Sequence, residues 1–440
     1  MRREKRREVE EVKGSFRDFV KELEEKKQLL RLKKKVSKKL ELAAAIKGKE
    51  DTPVLAPEVG GAKFSAVGNV FATRELVAQY LGCRADEITK KLVEAINRPT
   101  KPRAGKSSPA LEKTVSSLDD LPIPLHTEKD GGPYICSGIV VAKDKEYGTN
   151  CSFHRMMQLD GNRMVLRILP RHLNSFIERA GGELDVAVII GSPINVLLAS
   201  AISTKIGTNE LEIANSLAPF ETVKLGNGIE VPADVEFIIE GRITRELVNE
   251  GPFVDLTDTY DIVRRQQVME VRKIHARKDA IFHVLLPGGM EHKVLMGMPR
   301  EPTIFNEVNR VAECKGVSIT PGGCSWLHGI VSIHKRNEED GKKAIEAAFK
   351  GHASMKHVVV VDDDVDIHKM EEVEWAIATR FQGDRGLVVK KGEKGSSLDP
   401  SANPETRETT KVGIDATAPL KNREAFDRAK YKKVKVEDYF

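Results

Sequence analysis

Residues 150–172 read NCSFHRMMQLDGNRMVLRILPRH. Two apolar-rich runs flank the turn Asp160-Gly161-Asn162, so the stretch predicts two strands joined by a tight turn. Strand alternation puts Asn150, Ser152 and His154 on one face, and Cys151, Phe153 and Arg155 on the other. The second run delivers Arg171 and His172 at its end. An Asn oxygen and a His nitrogen are both metal-capable, but two potential ligands do not specify a metal. On spacing alone a structural hairpin is the simpler reading.

Working outward, the middle of the chain keeps a β character. Val140-Val141, Val165–Leu169, Val186–Ile190 and Val235–Ile239 are short β-branched runs divided by Gly, Asn and Asp. Residues 267–286 predict a hairpin around Arg277-Lys278-Asp279. A helix is expected over Ile194–Ala201. Before residue 98 the pattern is largely helical. Phe16, Phe19, Val20 and Leu23 form one apolar stripe within a helical reading of 15–49, and a second helical stretch covers 73–97. The Pro/Ser/basic stretch 98–110 marks a boundary. Toward the end, Val358–Val361 is a buried-strand run, followed by Asp362-Asp363-Asp364 and a helix near 368–380. The whole reads as an α/β chain with a β-rich centre.

The 440 residues are 40% hydrophobic, enough for real cores, and hold no apolar run long enough to span a membrane. No apolar segment follows the charged start, so no secretory leader is expected. Five widely spaced cysteines with no CxxC pair favour neither a disulfide framework nor a thiolate zinc site. A protein of the reducing cytoplasm is expected. The net charge of +5 hides an asymmetry, because residues 1–50 alone carry 18 Lys+Arg against 10 Asp+Glu. A basic arm on a near-neutral body can touch nucleic acid or an acidic partner. Interleaved acids and missing aromatics favour a solvated face instead.

Several groups have chemical potential. In EGPFVD, the Gly-Pro step lets Glu250 and Asp255 face one cavity, where like charge and burial keep one acid protonated for general acid catalysis. The alternative is a turn with solvated acids. Glu221, just before an expected strand, is of interest only if it meets Asn150 and His172 as a hard oxygen ligand. The run DDDVD at 362–366 can bind a ribose or a metal, but capping the next helix is the simpler reading. PGGCSW at 321–326 is a tight turn without phosphate-loop spacing, and nothing pairs Cys324 with a base.

Taken together, six motifs in order resemble the UbiD-type reversible decarboxylases. These are LPIPLHTEKDGGPYICSGIVVAKD (121–144), N-x-S-x-x-R (150–155), EGPFVD, PGGCSW, VVVVDDDVD with EWAIATR, and KVGIDAT (411–417). The resemblance runs from about Phe16 to about Leu420. It implies a central split β-barrel that binds prenylated FMN over 108–300, an N-terminal α+β part over 1–107, and a C-terminal α/β part with an oligomerisation tail over 301–440. It also implies a catalytic set of Arg155, Glu250 and the proton donor Asp255. Cofactor contacts are expected from Asn150, Ser152, Phe153, His154, Arg155, Arg167, Ile168, Leu169, Arg171, His172, Glu221 and Lys411. Asn150, His172 and Glu221 are the expected ligands of Mn²⁺ or Mg²⁺, with K⁺ nearby. The implied reaction is non-oxidative decarboxylation of an unsaturated acid. The substrate expected is trans-anhydromevalonate 5-phosphate, with a 4-hydroxybenzoate-type acid as the alternative. A flavin prenyltransferase would supply the cofactor, and a homo-oligomer is expected. Membrane association is not expected. The competing non-enzyme reading is a binding protein that uses its basic arm.

Overall fold

The computed structural model describes residues 14–440 except Lys430, Lys433, Val436, Asp438 and Phe440. Of the basic segment 1–50, residues 1–13 lie outside the described residues, and the rest holds the helices Phe16–Glu25 and Glu41–Lys47 with short strands between them. Among the described residues no helix is long and apolar enough to cross a membrane.

The first helix, Phe16–Glu25, buries the expected stripe of Phe16, Phe19, Val20 and Leu23, and Ser15 caps it by accepting from the Asp18 amide. The helical reading of 15–49 holds only at its two ends. Lys33-Lys34-Lys35 offers no apolar face to bury, so the chain runs as short strands until Glu41–Lys47. The stretch 73–97 is likewise two helices, Arg74–Leu81 and Ile88–Asn97, parted at Gly82 with φ +59°.

The centre is a nine-stranded antiparallel sheet. Its main path runs Gly148–Phe153, Ile139–Asp144, Leu184–Ile190, Phe237–Glu250, Arg264–Ala276, Arg163–Leu166, Met156–Gln158 and Tyr134–Ile135. Lys113–Val115 pairs onto Arg264–Ala276. The two long strands shift register at Glu240/Gly241 and again between Ile243 and Leu247, as bulges that bend a sheet do. The hairpin at Asp160–Asn162 forms as read, with Met156 opposite Leu166.

The hairpin expected over 267–286 does not form. Ile281–Val284 leaves the large sheet and pairs in parallel with Ser65–Gly68, completing a four-stranded N-terminal sheet. The crossing is fixed by charge. Glu236 is held by Arg17 at its Oε1 and Oε2 (3.0 and 2.5 Å) and accepts from the Ile281 amide (2.8 Å). Buried His283 then meets Glu291 at 3.0 Å, and Glu291 also takes the amides of Asn69 and Phe71 at 2.9 Å each. A boundary near residue 107 therefore does not separate the sheets.

The C-terminal part is a five-stranded sheet ordered Glu313–Ile319, His328–His334, His357–Asp362, Glu408–Ala416 and Leu387–Lys394. Alternation decides its two faces. Val358 and Val360 pack with Ile304, Ile345 and Ala348, whereas Val359 and Val361 pack with Val373 and Ala376. The DDDVD run is structural, but it does not cap the next helix as expected. Met370–Arg380 starts after Lys369 with no side-chain cap, and the acids bind Arg380 in its last turn instead. Fully buried Asp362 accepts from Arg380 Nη1 (2.7 Å) and from the Ala418 amide (2.7 Å), while Asp364 takes Arg380 Nη1 and Nη2 (2.8 and 2.6 Å). An Arg380→Met substitution leaves buried Asp362 with only Arg423 (3.1 Å) as a cationic partner and should destabilise this part by about 3 kcal/mol. Denaturant unfolding followed by Trp375 fluorescence checks this, and an unchanged midpoint would contradict it.

Candidate active site

A cavity of about 680 Å³ lies between the central and C-terminal parts. Its floor is the edge strand Gly148–Phe153 and the residues that follow it. Asn150, Ser152, Phe153, His154 and Arg155 all line it. The expected parity holds for one face. Ser152 Oγ donates to Asn150 Oδ1 at 3.1 Å and faces His154 Nε2 at 3.0 Å. His154 Nδ1 lies 2.9 Å from the Arg167 carbonyl, so Nδ1 carries the proton. Burial pushes the His154 imidazole down to about 4, which keeps it neutral.

Arg155 is the hub of one end. Its Nε and Nη2 donate to Glu250 Oε1 and Oε2 at 2.9 and 3.0 Å. Nη1 donates to Asp255 Oδ2 at 2.8 Å, and Nη2 also reaches Asp261 Oδ2 at 2.9 Å. The guanidinium stacks on Phe253 at 4.4 Å. Burial alone would lower the Arg155 pKa, but the Glu250 hydrogen bond and the three carboxylates outweigh it and hold the pKa above its ordinary value. Burial likewise pushes Asp261 up, yet Arg264 and Arg155 hold it below the usual carboxylate range. The Glu250 to Asp255 turn is shaped by glycine at two points. Gly251 takes φ +98°, and a side chain at Gly131 would overlap the Gly251 carbonyl. The Gly131 amide donates to Pro252 at 2.9 Å, which explains how the KDGGPY stretch supports the acids.

The two acids do not share the cavity. Asp255 lines it, with Oδ1 accepting from the Leu256 amide at 2.8 Å. Glu250 is fully buried behind Arg155 and accepts from the Tyr134 hydroxyl at 3.0 Å. It positions the arginine and has no face on the cavity. Asp261 and His292 join the lining and were not legible in the sequence, since neither sits in a motif. The Gly288 amide donates to His292 Nδ1 at 3.1 Å, so the neutral ring holds its proton on Nε2.

At the other end the acid beside Asn150 is Glu210, not Glu221. Asn150 Nδ2 donates to both Glu210 oxygens at 3.3 Å. The Cys151 amide (2.9 Å) and the Thr204 hydroxyl (3.0 Å) donate to the same carboxylate. Burial pushes the Glu210 carboxyl up to about 7 despite these bonds. Glu221 is exposed at the start of Glu221–Lys224, paired in parallel opposite Arg103, and is absent from the cavity wall. A signal for Glu210 existed. Glu210, Ile213, Ala214 and Leu217 repeat at helical spacing, so the acid lies on the apolar stripe of Glu210–Leu217.

The segment after the hairpin lines the cavity with Arg167, Leu169, Arg171 and His172, the last opening the helix His172–Arg179. Ile168 does not. Its side chain turns into the core beneath, and its amide donates to Gln266 at 2.8 Å. Lys411 is also withdrawn. It is buried behind the wall and donates to the Ala353 carbonyl at 2.6 Å, while Ala353 itself faces the cavity. PGGCSW turns through positive φ at Cys324 and Ser325 (59° and 49°) and delivers Trp326 to the wall. Among the described residues no three His, Cys, Asp or Glu side chains cluster at metal-ligand spacing.

Residues 20–96, 101–290 and 293–416 match, in that order, the N-terminal, Rift-related and C-terminal domains described as 3-octaprenyl-4-hydroxybenzoate carboxy-lyase, UbiD. The chain belongs to the UbiD family. Within that family it is 44% identical over 407 residues to the anhydromevalonate phosphate decarboxylase of Methanocaldococcus jannaschii, covering 90% of this chain and 96% of that one. The UbiD-class enzyme HmfF from Pelotomaculum thermopropionicum, solved in complex with FMN, superposes with a TM-score of 0.93. It is 36% identical, over 97% of this chain and 100% of that one. An evolved dimeric form of HmfF in complex with prFMN superposes at 0.89 with 35% identity, over 97% and 100%. The UbiD fold, with its mixed α/β character and three consecutive parts, is that of this chain.

Proposed function

We propose that this chain is a prenylated-FMN-dependent decarboxylase that converts trans-anhydromevalonate 5-phosphate to isopentenyl phosphate and CO₂. The observation that carries the reading is the 44% identity to the archaeal decarboxylase over nearly the whole chain. The cavity suits the cofactor. Phe153, Leu169, Leu173 and Leu295 offer apolar wall to a ring system, and the buried Glu210 carboxylate faces no cation among the described residues. Asn150, Glu210 and His172 would hold a divalent cation, Mn²⁺ or Mg²⁺, since their oxygen and imidazole donors suit either metal. K⁺ nearby belongs to the same reading. When bound, the prenylated flavin supplies the electron sink that makes loss of CO₂ feasible.

The protein's own part follows from its geometry. Arg155 lines the cavity with its planar fork already held by Glu250, Asp255 and Asp261, so its one remaining Nη1 N–H and its charge orient the substrate carboxylate, a role Lys fills poorly. Glu250 and Asp261 keep that fork from swinging. A fourth carboxylate entering a group that already holds Glu250, Asp255 and Asp261 against Arg155 and Arg264 favours proton uptake. Asp255, the member with the carboxyl on the cavity, receives that proton and delivers it to carbon once CO₂ has left. A flavin prenyltransferase is the partner that supplies the cofactor. A homo-oligomer is supported by Leu387 and Val389, exposed on the sheet-edge strand Leu387–Lys394, a surface that natural proteins cover.

Holoenzyme should release CO₂ from trans-anhydromevalonate 5-phosphate and not from 4-hydroxybenzoate-type acids. Turnover of the aromatic acids alone would move the assignment to quinone-type chemistry.

A further inference from the structure

One wall of the cavity holds a buried cation with no carboxylate to balance it. Arg300 is 6% exposed and faces the cavity. Its Nη1 donates to Ser203 Oγ, and its Nε has no hydrogen-bond partner. Among the described residues no acid forms an ion pair with it. The adjacent Glu301 turns away to Arg74, at 2.9 and 2.8 Å. Arg155, by contrast, meets three carboxylates.

The guanidinium is nonetheless held firmly. It lies 5.0 Å from the ring centre of Trp326. That ring is fixed by Nε1 donating to Ser396 Oγ at 3.1 Å and by edge contact with His352 at 4.6 Å. The neighbouring charge has the same sign. Burial, and then the charge of Arg171, lowers Arg300 to about 9. Arg171 caps His172–Arg179, so the positive end of that helix adds to the field. Arg171 is exposed, so the cost of burial falls on Arg300, which also meets the like charge of Arg171, and an anion joining the two offsets both. A rigid fork of free N–H groups suits an oxyanion, and two positive charges match a dianion better than a carboxylate.

We propose that Arg300 and Arg171 form a subsite for a phosphate monoester. Two such groups enter the proposed reaction, the 5′-phosphate of the flavin and the phosphate of the substrate. The inference rests on the proposed function, on its cofactor for the first source and on its substrate for the second.

The test compares two ligand pairs in wild type, Arg300→Gln and Arg300→Lys. The full chain purified without cofactor is titrated with FMN and with riboflavin, which lacks the phosphate. Holoenzyme is assayed for KM and kcat on trans-anhydromevalonate 5-phosphate and on its dephosphorylated acid. R300Q should narrow the preference for the phosphorylated member of one pair by about tenfold or more, with R300K in between. Loss in the flavin pair assigns the flavin phosphate, and loss in the substrate pair assigns the substrate phosphate. A merely structural arginine would change the unfolding midpoint and leave both preferences intact, and that result overturns the proposal. If R300Q does not fold, R300K decides by the same criterion. If wild type does not turn over the phosphorylated acid, the proposed function fails and the FMN–riboflavin pair still tests the subsite.

Discussion

An Asp255→Asn enzyme should keep its flavin and lose about a thousandfold or more in kcat. The side chains are nearly isosteric. The Asn oxygen can still accept from Arg155 Nη1, so the fork that orients the substrate is preserved. The substitution removes one negative charge from a cluster of three carboxylates facing Arg155 and Arg264, which relieves the cluster. Folding and cofactor retention should therefore stay near wild type. What Asn cannot do is hold and release a proton toward the cavity. Release of CO₂ in the first turnover without formation of the alkene product would locate the defect at protonation. Glu250→Gln provides the contrast. Glu250 has no face on the cavity, so its loss should act through a less rigid Arg155 and raise KM along with lowering kcat. Near-normal turnover by D255N, measured as product formed per bound flavin, would remove Asp255 from the proton-donor role.

What was legible in the sequence follows from the range over which each signal acts. The hairpin at Asp160–Asn162, the helix Ile194–Ala201 and the strand His357–Asp362 are decided by local period and turn chemistry. The destination of Ile281–Val284 is not local. A run of apolar residues after a polar turn reads as a returning hairpin, and only Arg17 and Glu236, 219 residues apart, send it to another sheet. The site divides in the same way. Asn150, Ser152, His154 and Arg155 are neighbours on one strand and its exit, so their alternation is readable. Glu250 and Asp255 are readable as a pair, but the side that each presents depends on Tyr134, Gly131 and Arg155 packing against the turn. Asp261, His292 and Arg300 become neighbours of the cavity only when the chain has folded, and each stands alone in sequence.

The exchange of Glu221 for Glu210 has the sharpest consequence. Glu210→Gln should abolish stable divalent-metal loading, while Glu221→Gln, at an exposed strand end, should leave metal content and turnover unchanged. Loss of partners that merely orient metal ligands weakens metal binding by about 10–100-fold, and a direct carboxylate ligand should cost at least as much. Glutamine keeps an oxygen for the Cys151 amide and Thr204 hydroxyl but brings no charge to the cation. The pH dependence has a definite sign. Glu210 titrates at about 7 in the folded chain against an ordinary 4.5, so the metal-free folded state binds the extra proton between these values. Metal-free stability should therefore be highest at or below about pH 4.5 in this group's contribution. It should fall by on the order of 3 kcal/mol as pH rises through 7. Metal affinity should move oppositely, rising with pH until the carboxyl is ionised and levelling above about 7. Thermal unfolding with and without Mn²⁺ across this range would reveal both slopes, and E210Q should flatten each. A pH-independent Mn²⁺ shift in wild type, or normal metal content in E210Q, would move the cation away from this carboxylate.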